Sequence, residues 1–97
     1  MFCVFLKFSA GKAQAPQHMA GHQRWIEDGF RDGVFLVTGS LGGNQGGVVI
    51  AHATTLEALE KRVALDPFVT ADVVTADIVV MTPHRADPRL HFLLQQA

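Results

Sequence analysis

The chain has 97 residues, 48% of them apolar and 18% charged, with a formal net charge of −1. That length holds one domain with one core, the apolar share excludes disorder, and a near-neutral, scattered charge gives no long-range attraction to nucleic acid or anionic membrane. The single cysteine, Cys3, excludes an intrachain disulfide and a cysteine-built metal site. The run 1–8 is too short for a signal sequence, and no stretch nears the roughly 20 apolar residues of a membrane span, so a soluble, unprocessed, cytoplasmic protein is expected.

Phe2-Cys3-Val4-Phe5-Leu6-Lys7-Phe8 is dense in strand formers and stops at the turn signal Ser9-Ala10-Gly11. Its alternating faces are both apolar: Phe2, Val4, Leu6 and Phe8 on one, Cys3 and Phe5 on the other. From about Pro16 to Asp32, Met19, Ile26 and Phe30 recur at helical spacing, with Pro16 in the first turn and Gly33 as C-terminal cap. Val34 to Thr38 reads as a buried strand, and the glycine-rich residues 39–47 as a connector.

Val48 to Ala53 is a third strand. Thr54-Thr55-Leu56-Glu57 then opens a second helix with a capping-box pattern, Thr54 at the N-cap, and with Leu56, Leu59 and Val63 as its apolar stripe. Pro67 disfavours helical geometry at Asp66, so this helix is expected to stop there. Val73 to Met81 forms the last core strand. The order βαββαβ predicts a ferredoxin-like α+β fold with a four-stranded antiparallel sheet. One domain spans residues 1–97, with a core of about 1–83 and a tail of 84–97. The apolar second face, with Cys3, Phe5, Val79 and Met81, calls for a second copy as cover, and the tail is a candidate for that contact or a higher homo-oligomer.

Two residues stand out chemically. On a helical wheel His22 lies beside Met19 and Ile26, facing the expected sheet, and Asp66 opens Asp66-Pro67-Phe68. A core-edge histidine held by one hydrogen bond and an ordinary aspartate-proline helix stop account for them equally well one at a time. Brought together, they form an acid/base pair. His18 is an i,i+4 neighbour of His22, but the segment lacks the intervening glutamate and third ligand of a zinc site, so no metal is expected. The glycine-rich stretch lacks the ending of a phosphate loop, and no cofactor is called for. Gly39-Ser40 after the second strand offers amides and a hydroxyl to an anionic oxygen.

The chain resembles the YCII-related family through Thr82-Pro83. The matching residues are His22 with Trp25 and Gly33 downstream, Gly39-Ser40, the run Gly46-Gly47-Val48-Val49-Ile50-Ala51, and Asp66-Pro67-Phe68. Ser40 stands where the family usually has proline. The resemblance implies a dimeric α+β barrel with His22 and Asp66 as catalytic pair and His18 as a second histidine found in part of the family. It also implies dehydrochlorination of a hydroxylated chloroaromatic as relevant chemistry, on a fold shared with muconolactone isomerases. The expectation is therefore a small cofactor-independent lyase or isomerase acting on a small hydroxylated aromatic or enolisable compound. His18, Gly39, Ser40, Trp25 and Phe68 are the expected substrate-binding residues. The alternative is a ligand-binding or accessory protein without turnover.

Overall fold

In the computed structural model, which describes residues 1–95, the apolar run at the start of the chain forms β1 (Phe2–Phe8), a central strand of a four-stranded sheet. Gln96 and Ala97, the end of the expected tail, lie outside the described residues. β2 (Phe35–Ser40), β3 (Gly46–Ala51) and β4 (Val74–Val80) complete the sheet in the order β2-β3-β1-β4, each neighbouring pair antiparallel. α1 (Ala15–Arg31), α2 (Leu56–Val63) and the short α3 (Pro67–Thr70) supply the helices. This is the expected ferredoxin-like α+β arrangement with one helix more than the sequence announced.

Alternation in β1 decides where the core lies. Phe2, Val4 and Leu6 are buried and pack with Val49 and Ala51 of β3, Trp25 of α1, Leu59 and Val63 of α2, and Phe68 of α3. Each such side chain, fully buried, contributes about 1.5–3 kcal/mol, so this one cluster is the main source of stability. The opposite face of the sheet carries Cys3, Phe5, Val48 and Ile50, all half-buried, and Val37 and Val79, which are exposed. At the end of the chain a 3-10 helix (Pro88–Gln95) sets the edge of the Phe92 ring on His52, with centroids 5.5 Å apart, and buries Leu93.

Of the stripe of Met19, Ile26 and Phe30, Ile26 packs against the core, whereas Met19 and Phe30 stay about two-fifths exposed; the buried residues of α1 are Trp25 and Gly29, with His22 partly buried beside them. The cause is Gly29: a Cβ there would stand 2.1 Å from the Phe35 ring, so glycine alone lets the helix come down onto that ring. The helix ends as the sequence predicts. Gly33, with φ of 73°, directs its N–H to Phe30 O while the Val34 N–H reaches Gly29 O, the paired bonds of a left-handed glycine cap.

Three local expectations are corrected. The N-cap of α2 is Thr55, whose hydroxyl accepts from the Ala58 N–H at 3.1 Å, and not Thr54; Glu57 therefore falls short of the capping-box position. The chain leaves α2 at Val63, and Asp66 begins α3 instead of ending α2, with Pro67 in the first helical turn where its missing N–H costs nothing. β2 runs on through Gly39 and Ser40, which pair with Val48 and Gly47, so these two residues belong to the sheet and not to the connector.

β2 also carries a bulge that the sequence does not reveal. Phe35 pairs with Ala51 and Val37 with Ile50, so Leu36 is an extra residue and the facing pattern shifts by one. Thr38, opposite Val49, and Ser40, opposite Gly47, thereby join Phe35 on the helix side, while Val37 turns outward and is 54% exposed. Replacing Gly29 by Ala is expected to lower stability by about 1–3 kcal/mol through overpacking against Phe35. Urea unfolding followed by Trp25 fluorescence checks this.

Candidate functional site

Asp66 is the one buried charged residue among those described, and its side chain is fully enclosed. Such a carboxylate is costly unless hydrogen-bonded. Its Oδ1 accepts from the Phe68 N–H at 3.0 Å, capping α3, and lies 2.8 Å from His22 Nδ1. An ionised carboxylate can only accept, so Nδ1 carries a proton, and in the neutral ring Nε2 is left with the lone pair. Oδ2 is buried with no hydrogen-bond partner among the described residues, which leaves the paired oxygen to carry the stabilisation.

Phe68 completes the arrangement. Its ring lies parallel to the His22 imidazole, with centroids 4.0 Å apart and an interplanar angle of 4°, and Trp25 stands 5.9 Å away on the helix. Trp25 is fixed in turn by its indole N–H, which donates to Arg62 O at 2.8 Å. The approach of α1 to α3 depends on Gly21, where a Cβ would come within 3.0 Å of Pro67 Cγ. Within Asp66-Pro67-Phe68, then, each residue acts on the histidine: one bonds it, one sets the turn, one stacks on it.

His22 borders a cavity of about 320 Å³ between α1 and the sheet. The apolar walls are Leu6, Phe8, Met19, Ile26, Phe68 and Val74; Gln23, Thr38 and Ser40 supply polar groups, and Gly39, Gly46 and Gly47 leave room. With a side-chain exposure of 13%, His22 reaches this space, whereas Asp66 lies behind it at 0%. Of the expected site residues, the structure brings His22, Phe68, Gly39 and Ser40 onto one cavity, with Asp66 against His22. Trp25 faces a neighbouring groove with Arg62 and Asp32, and His18, half-buried one turn from His22, borders neither. Among the described residues no group of three or more His, Cys, Asp and Glu side chains is placed to hold a metal.

Sequence reasoning missed Thr38, Gln23 and the glycine pair Gly46-Gly47. Thr38 faces the cavity only because of the bulge at Leu36, and a threonine in a strand carries no mark of that shift. For Gly46 a signal existed: its φ is 131° and a Cβ there would meet Leu6 O at 2.0 Å, a close backbone approach that an isolated strand glycine suggests.

The YCII-related domain family matches residues 1–82. Among solved structures the chain is similar to 5-chloro-2-hydroxyhydroquinone dehydrochlorinase from Burkholderia phenoliruptrix, determined in complex with 2,5-dihydroxybenzoquinone. The two agree with a TM-score of 0.69 at 20% sequence identity, over 82% of this chain and 91% of that one. At this identity the likeness is one of fold. No curated protein matches the chain.

Replacing Asp66 by Ala removes the acceptor of two donors, and a stability loss of about 1–3 kcal/mol is expected in chemical denaturation. In nitrogen-detected NMR the neutral His22 ring should change from the Nδ1–H form to mainly the Nε2–H form.

Proposed function

The chain belongs to the YCII-related family, and from that membership and the site geometry we propose a cofactor-independent lyase or isomerase acting on a small hydroxylated aromatic or enolisable compound. The single observation that carries the reading is the His22–Asp66 contact of 2.8 Å at the wall of a largely apolar cavity. A buried carboxylate that fixes one tautomer leaves Nε2 as a positioned base, the arrangement proton transfer requires.

His22 is the catalytic residue. Its Nε2 takes a proton from a phenolic O–H or from a C–H beside a carbonyl, and the electron pair of the broken bond moves into the ring or onto the carbonyl oxygen. In elimination, on the keto tautomer, the pair from the C–H beside the carbonyl forms a double bond to the neighbouring saturated carbon as that carbon releases a leaving group such as chloride, and the imidazolium loses its proton to water. In isomerisation the same proton returns to another carbon. Asp66 is a positioning residue: it holds the ring and offsets the positive charge formed there. Phe68 restricts the imidazole plane from one side, and Ser40 and Thr38 meet the oxygen substituents of the substrate. No ligand contact is assigned to His18 or Trp25, neither of which borders the cavity. The structural neighbour, a dehydrochlorinase solved with a dihydroxybenzoquinone, supports elimination as the first reaction to assay.

The assay is chloride release from 5-chloro-2-hydroxyhydroquinone, alongside isomerisation of unsaturated lactones. Replacing His22 by Ala should reduce kcat by about 10²–10⁴-fold with the fold unchanged by circular dichroism. Asp66→Asn should lower kcat and displace the pH profile with little effect on KM. Full turnover by the His22 variant on an accepted substrate would refute the assignment, and ligand binding without turnover in the wild type would favour the binding-protein alternative.

The protein is further proposed to work in the cytoplasm as a homodimer whose sheets face each other. Val37 and Val79, 54% and 44% exposed, share the outer sheet face with Phe5 and Ile50, an apolar surface larger than scattered residues would make. Light scattering should give twice the chain's 10.5 kDa, and Phe5→Glu should return the monomer.

A further inference from the structure

The cavity lies at one end of the sheet. Its lining takes Phe8 and Ser40 from the last positions of β1 and β2, and Gly46 and Val74 from the first positions of β3 and β4. The 3-10 turn Lys12–Gln14, which joins β1 to α1, passes that same end. Among the described residues no Lys, Arg, Asp or Glu side chain lines the space, and the exposed Gln23 and Ser40 beside it can donate as well as accept.

Lys12 supplies the charge that the lining lacks. Its ammonium stands 4.7 Å from the centroid of the Phe8 ring, itself a wall of the cavity, and ends an exposed, flexible four-carbon stem. Among the described residues it forms no ion pair. The acid of the adjoining loop, Asp72, takes the Ser9 hydroxyl at 3.1 Å instead. A cation resting on a ring face at an exposed position is weakly held, so it is free to turn to a full negative charge.

We infer that Lys12 is a specificity-determining residue, receiving an anionic group on a ligand whose ring fills the cavity. The inference rests on the proposed small-molecule site and adds the charge its ligand carries. Deep in the cavity a carboxylate or ionised phenol would meet apolar walls and the Nε2 lone pair of the neutral His22 ring, whereas at the Phe8 edge it meets an ammonium. The ligand is thereby oriented, its charged end toward Lys12 and its reacting carbon toward His22.

The test is calorimetric binding of 3-hydroxybenzoate and 3-hydroxybenzamide, which share a ring and an outline and differ in charge. Wild-type protein is expected to bind the carboxylate about three- to tenfold more tightly, the range for one partly exposed charge pair. Lys12→Gln should abolish that preference with the affinity for the amide unchanged, and Lys12→Arg should keep most of it. Lys61→Gln, which removes a lysine exposed on α2 beside Glu57, should leave it intact. No binding of the carboxylate, equal affinity for the two probes in the wild type, a preference that survives Lys12→Gln or is lost in Lys12→Arg, or an equal loss in Lys61→Gln overturns the inference. The two proposals fail separately: a Lys12-dependent preference without turnover refutes catalysis and leaves this inference standing, whereas His22-dependent turnover with indifference to ligand charge does the reverse.

Discussion

The structure turns on one carboxylate. Asp66 Oδ1 holds the first turn of α3 and the ring of His22 at once, with bonds of 3.0 and 2.8 Å, so a single atom joins a helix start to a side chain 44 positions away. Full burial makes this junction strict. An exposed aspartate could trade either partner for water, but an enclosed one must keep both or bear the cost of desolvation. The seating of α1 against α3, the imidazole tautomer and the face of His22 toward the cavity all follow from it.

Around that junction, backbone exceptions make the space. Gly29 lowers α1 onto Phe35, Gly21 admits Pro67, and Gly46 lets the start of β3 pass close to Leu6. The bulge at Leu36 then changes which side chains of β2 face inward, exchanging Val37 for Thr38 and Ser40. A regular strand would have lined this wall with Val37 and Gly39 and left it without a hydroxyl. A cavity both apolar and selectively polar is therefore a product of irregularities, as is common where a sheet borders a site.

Much of the fold was legible along the chain. β1 was plain in its run of strand formers, α1 ended at Gly33 as a left-handed glycine cap requires, and the order of elements specified the sheet topology. The misplaced features were those that depend on a choice between equivalent neighbours: Thr54 or Thr55 as cap, Asp66 as the end of one helix or the start of the next. Sequence spacing treats such neighbours alike, and packing of α2 and α3 on β4 chooses between them. The site was legible to the extent that two residue types implied acid/base chemistry and one tripeptide implied a fixed carboxylate.

By itself the sequence determined the α+β order, the apolar double-sided sheet and the identity of the two groups able to exchange a proton, because periodicity and side-chain chemistry are local properties. Only the tertiary structure decided that His22 and Asp66 touch, that Asp66 stands behind the histidine and off the cavity, and that Thr38 and Ser40 share the wall with it. Those are relations between segments distant in the chain. They are set by how closely two helices can approach and by a one-residue shift in a strand, neither of which leaves a trace in hydrophobic pattern.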